Sequence, residues 1–129
     1  MEFTTPCFIR KNTQELRRGL EELGYKMFSP IEYDNLECSD NWVNDIKSLN
    51  DCDGFDCGTN EELFLAIAAL RDDTDKYQWF TDGDKWILCP AIKFSSYWVY
   101  NDIDVNIDTV HKATVNELIE HFKGKEEQL

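Results

Sequence analysis

Gly58-Thr59-Asn60-Glu61-Glu62-Leu63-Phe64-Leu65-Ala66-Ile67-Ala68-Ala69-Leu70-Arg71 is the stretch that decides the fold. Leu63 to Leu70 is the longest unbroken apolar run of the chain. A helix that is apolar nearly all round is buried nearly all round. Residues 60 to 71 are therefore expected to form the central helix, with Phe64, Ile67 and Leu70 inside. Thr59 and Glu62 read as a capping box, and Glu61 and Glu62 add negative charge at the positive end of the helix dipole. The run is far short of the roughly 20 residues needed to cross a bilayer.

Toward the N-terminus the pattern reads strand, helix, strand. Cys7-Phe8-Ile9-Arg10 is the first strand. Asn12 and Glu15 suggest a capping box; Leu16, Leu20 and Leu23 make one helical stripe; Gly24 supplies a left-handed stop. Tyr25-Lys26-Met27-Phe28 is the second strand. If the two strands share a sheet, the crossover is expected to be right-handed. Between 30 and 58 turn formers and acids surround isolated apolar anchors. There Trp42, Val43, Ile46 and Leu49 have helical spacing, with Ser39 or Asp40 as a cap.

Toward the C-terminus, Asp82-Gly83 joins two aromatic-rich runs, 77–81 and 84–89, which is a hairpin signal. Ile103, Val105 and Ile107 alternate with Asp102, Asp104, Asn106 and Asp108, as in a half-buried strand; a tight hairpin at Asn101-Asp102 is the alternative. Thr114 and Glu117 form a third capping box. Val115, Leu118, Ile119 and Phe122 are the apolar stripe of a last helix, and Gly124 is its expected stop. The expected architecture is α+β. A single domain over 1–124 has a small, mostly antiparallel sheet packed on a buried central helix and two amphipathic helices, and 125–129 is a frayed tail.

The charge is confined to the middle of the chain. Residues 32 to 108 hold eighteen Asp and Glu against five Lys and Arg, so this stretch carries the whole net charge of −13. Such a polyanion disfavours direct binding to nucleic acid or an anionic membrane and favours a basic protein partner. The first residues show no basic region followed by an apolar one, so no signal peptide is read and a cytoplasmic location is expected. The five cysteines are then expected to be thiols, with Cys7 and Cys89 as small buried hydrophobes.

No motif calls for a cofactor. In the acidic loop, Asp51, Asp53 and Glu62 fall at EF-hand positions 1, 3 and 12, but position 5 is Phe55 and the glycine, Gly54, comes at position 4. The alternative function, a small enzyme or divalent-cation protein using the Asp clusters, rests on Asp51, Asp53, Asp56 and Glu62. Zinc would need a second close ligand pair beside Cys52 and Cys57, and none exists. His111 precedes the last helix, where a turn residue serves as well as a catalytic one, and His121 reads as a surface residue. Asp-x-Asp pairs at 51/53, 73/75, 82/84 and 102/104 arise readily in so acidic a chain. The first reading is a non-enzymatic binding module. Its expected working face is acidic and aromatic, built on Trp98, Tyr100, Asp102, Asp104 and Asp108. Acids on alternate strand positions are about 6.7 Å apart, at most half the charge density of a DNA strand, so mimicry of nucleic acid would need neighbouring loops to contribute.

Two stretches carry a resemblance. Thr5 to Thr13 running into Leu20-Glu21-Glu22-Leu23-Gly24-Tyr25 is one; Phe55 to Arg71 continuing to Gln78-Trp79-Phe80 is the other. Over about half the chain they resemble small uncharacterised proteins encoded by gut anaerobes, their phages and mobile elements. The resemblance implies a bacterial or phage cytosol as context and carries over no catalytic or binding residue.

Overall fold

The computed structural model describes residues 3–27, 32–50, 52–94, 106 and 108–127, with side chains through Lys123. The chain is α+β. Eight strands and three helices are described: β1 Cys7–Ile9, α1 Gln14–Leu23, β2 Lys26–Met27, β3 Asn35–Ser39, β4 Trp42–Ile46, β5 Phe55–Asp56, α2 Glu61–Ala68, β6 Trp79–Thr81, β7 Trp86–Leu88, β8 His111–Lys112 and α3 Val115–Glu127. The strands divide into two sheets where one was expected. The first runs β2-β4-β3-β1-β5, and the second β7-β6-β8. β1 is antiparallel to β3 and parallel to β5, and β2 is parallel to β4. β1 and β2 therefore point the same way, with β3 and β4 between them.

The segment 42–49 is not a helix. Trp42–Ile46 is β4, paired antiparallel to β3 across a turn at Asp40, which has φ 55°. Alternation wins over helical spacing here. Val43 is buried and faces Cys38, while its neighbour Trp42 is exposed.

α2 is the buried centre, packed against β1, α1 and α3. Phe64, Ile67 and Ala68 are fully buried and Leu70 nearly so, as expected. The helix is shorter than 60–71, and its N-cap is Asn60 rather than Thr59. The Asn60 side chain accepts from Leu63 N at 3.1 Å and donates to Phe122 O at 3.0 Å. Asn60 is buried, so capping here also ties α2 to α3, a task the exposed Thr59 cannot perform. α1 shows the same one-residue offset. Thr13 is its cap, accepting from Leu16 N at 3.2 Å, while Asn12 donates to Tyr33 O at 2.7 Å. The Thr114–Glu117 box forms in both directions, at 3.0 and 3.2 Å. Gly24 ends α1 at φ 118°. Gly124 does not end α3, which continues to Glu127 and takes in part of the expected tail. An isolated helical glycine costs only about 1 kcal/mol.

The C-terminal end of α2 has no glycine. Its carbonyls are instead taken up one by one by other elements. Tyr25 Oη donates to Ala68 O at 2.6 Å, Gln78 Nε2 donates to Ala69 O, and Thr4 N donates to Leu70 O at 3.0 Å. Lys112 Nζ donates to Arg71 O at 3.2 Å and to Thr74 O at 3.1 Å.

All five cysteines are free thiols. Cys7 and Cys38 are register partners, fully buried, and Cys57 lies in the same core cluster. Hydrogen bonding to Cys38, then burial, pushes the Cys7 thiol up; hydrogen bonding to Cys7 and burial do the same at Cys57. These groups behave as neutral, small hydrophobes. Gly54 has a steric reason of its own. A Cβ there would lie 2.6 Å from Pro6 C and 2.7 Å from Cys7 N, because the acidic loop runs into β5 directly against the start of β1.

Two substitutions test this packing. Ala68→Asp buries an unpaired charge, so a loss on the order of 4 kcal/mol or more is expected in urea unfolding. Gly54→Ala forces backbone apart and should cost at least about 2 kcal/mol. Gly83→Ala, at φ 105° with nothing within 4 Å of the new Cβ, should show only the smaller strain of about 1 kcal/mol.

Candidate functional site

Among the described residues an open groove of about 420 Å³ lies where α1, α2 and the second sheet meet. Its floor is made of small residues, Gly19 of α1, Ala66 of α2 and Ala69 at the C-cap of α2. Leu65, Trp79, Leu88 and Phe122 supply apolar walls, and Glu22 and Glu62 are the charged groups of the lining. Among the described residues no Lys, Arg or His lines it. Leu88 is 47% exposed, an apolar side chain left in solvent at the edge of an apolar groove.

Each wall follows from local folding. The stripe Leu16 and Leu20 faces the core, and Gly19 falls beside it, facing Leu65. A Cβ on Gly19 would meet Leu65 Cδ2 at 3.4 Å, an ordinary contact, so close packing does not demand glycine. A glycine in a helix interior costs about 1 kcal/mol against alanine. Its effect here is to keep the floor open. Trp79 and Leu88 are register partners across the β6–β7 pair and share one sheet face. The intervening loop, Asp82-Gly83-Asp84-Lys85, is the expected hairpin connection. Asp82 Oδ1 accepts from Asp84 N and Lys85 N, both at 2.8 Å.

Tyr77 also lines the groove and has φ 67°. For a bulky side chain this left-handed backbone costs about 1–3 kcal/mol. It is held by Tyr77 N donating to Cys89 O at 2.9 Å. A second concavity, about 330 Å³, shares Leu23, Ala69 and Tyr77 with the first and is edged by Arg71, Asp73 and Lys76. Arg71 is engaged there by Asp73, which holds the Asp73 carboxyl below its ordinary range.

The residues expected from sequence fall elsewhere. Trp98, Tyr100, Asp102 and Asp104 lie outside the described residues. Asp108 sits in an exposed turn, its N–H donating to Asn106 Oδ1 at 3.0 Å. That turn is moored to the β6–β7 loop, since Asn106 N donates to Asp82 Oδ2 at 2.8 Å. Of the metal alternative, Asp51 lies outside the described residues and Asp53 is exposed. Asp56 is bound by Arg10 at 2.9 Å and by Gly58 N at 2.8 Å, and Glu62 is on the groove. Among the described residues no group of three His, Cys, Asp or Glu side chains is placed to hold a metal ion. His111 belongs to β8 rather than a turn and pairs with Glu117 at 2.9 Å. The Thr109 carbonyl and Glu117 raise its pKa. His121, expected on the surface, is half-buried and stacked on Trp86 with ring centroids 4.0 Å apart.

Backbone N–H groups of Asn106, Lys85 and Asp84 hold the Asp82 carboxyl down at about 2. A folded pKa below the ordinary value of about 3.9 means stabilisation that is complete above that value and lost as pH falls toward 2. A carboxyl NMR titration should give Asp82 a midpoint near 2. Asp82→Ala should flatten the loss of stability across that acid window. Gly19→Ala offers a separate check on the floor: stability should rise by up to about 1 kcal/mol, because the helix gains and packing does not object.

The chain matches no family model, no curated protein and no solved structure, so the groove's chemistry is argued from its own residues.

Proposed function

We propose that the protein is a binding module that engages a basic protein partner, taking an apolar part of that partner into the groove between α1, α2 and the β6–β7 pair. The observation that carries this reading is the composition of the groove. Its walls are apolar, and its charged lining residues are two carboxylates, Glu22 and Glu62.

Electrostatics supports the sign. Glu21 and Glu22 occupy the last turn of α1, the negative end of its dipole, and no basic residue lies in that turn. A cation brought by a partner relieves that repulsion. The net charge of −13 extends the attraction beyond contact distance and steers a basic partner toward the molecule. The apolar walls then supply short-range affinity, in the way hydrophobic grooves take the apolar face of a partner segment.

Titration of the full chain with a basic amphipathic peptide, followed by NMR, tests the reading. The expected result is a saturable shift of resonances around Leu65, Trp79 and Leu88, with affinity falling steeply as salt rises. Glu22→Lys with Glu62→Lys should weaken binding by about tenfold or more without unfolding the domain, and Gly19→Leu should fill the floor and do the same at any salt. A peptide that shifts only distant residues, or binds the double variant equally well, would sink the proposal.

A further inference from the structure

Resting on that reading, we infer that the group received by the groove is the alkylammonium of a lysine side chain on the partner. The groove combines aromatic ring faces, an apolar floor and two carboxylates. Trp79 lines it half-buried, and Phe122, itself buried, backs Trp79 in an edge contact with ring centroids 5.5 Å apart and planes at 64°. Tyr77, also half-buried, adds the second accessible ring. Ring faces attract cations through their quadrupoles, most strongly where water is displaced. The Tyr77 ring already takes an ammonium within this chain, Lys76 Nζ lying 5.1 Å from its centroid.

The rest of the lysine side chain also fits. Its methylene stem suits the apolar floor of Ala66 and Ala69, while its head stays near water and charge. An ammonium in an apolar recess needs a counter-charge. Glu22 and Glu62 supply it, and the C-terminal end of α1 adds partial negative charge on the same side. A carboxylate ligand would meet like charge at the same place. A neutral apolar ligand would leave the rings and carboxylates unused. Tyr77 holds its ring in this lining at the expense of a left-handed backbone.

The experiment uses four probes with one chain and different heads: n-octylammonium, n-octyltrimethylammonium, n-octanol and n-octanoate. Each is titrated below its micelle concentration into the full-length protein, with the Trp79 indole resonance as readout. Both cations should saturate and bind about three- to tenfold tighter than octanol, with octanoate weakest. Glu22→Gln combined with Glu62→Gln should lower octylammonium to the octanol level and leave octanol unchanged. A blocked hexapeptide with one central lysine should shift the same indole, and its norleucine counterpart should bind several-fold more weakly. Octanol equal to the cations would overturn the cation assignment while leaving an apolar groove for a partner. Cations that bind while the lysine peptide does not would overturn lysine as the source. Failure of every probe and of the basic amphipathic peptide at the groove would remove the underlying reading as well.

Discussion

A largely buried helix must find protein partners for its terminal N–H and C=O groups, and the rest of this molecule is arranged around that constraint. α2 spans only Glu61–Ala68, too short to persist alone in water. Asn60 satisfies its first turn and reaches α3. At the other end the segments leading into β1, β2 and β6, together with β8, each deliver one donor to a carbonyl between Ala68 and Arg71. The two sheets share few direct strand contacts; they are joined through the end of one helix. Loss of the Tyr25 hydroxyl or the Gln78 amide leaves a buried carbonyl without that donor, a penalty of about 1–3 kcal/mol.

The acids have a similar local purpose. Asp45 accepts from Tyr33 N at 2.7 Å, Asp56 from Gly58 N at 2.8 Å and Asp75 from Phe94 N at 2.7 Å. With Asp82 they act as acceptors that organise loops carrying few regular hydrogen bonds. Part of the polyanionic middle is thus scaffolding. Asp75 additionally holds Lys112 at 3.2 Å, the ammonium that donates to Arg71 O just beyond α2. Glu22 and Glu62 differ in that they line an apolar groove.

The apolar octet marks α2 in the sequence because it follows directly on helix-capping residues and acids at the helix N-terminus, which separate a buried helix from a buried strand. The two amphipathic stripes, the Asp-Gly hairpin and the stop at Gly24 are legible because each is a short-range rule. The N-caps of α1 and α2 are displaced by one residue because Asn and Thr stand side by side at 12–13 and 59–60, and the choice between them depends on what the side chain can also reach. β4 was hidden because Trp42, Val43 and Ile46 satisfy a helical spacing as well as a pleat, and pairing with β3 decides. The groove was not legible at all as a unit. Gly19, Leu65, Leu88 and Phe122 come from four separate elements, and no periodicity relates them. Its faint local signals were a glycine in the middle of a helical stripe and the aromatic density from Tyr77 onward.

The position of β1 has a consequence for synthesis. This strand precedes both of its neighbours along the chain, yet it lies inside its sheet, flanked by β3 and β5. Cys7 must wait for Cys38 on one side and Phe55 on the other, and the helix above it becomes complete only when Phe122 arrives to receive Asn60. Long-range pairings of this kind slow folding and keep apolar strands exposed meanwhile. The nascent chain therefore holds Cys7-Phe8-Ile9 open until α3 is out.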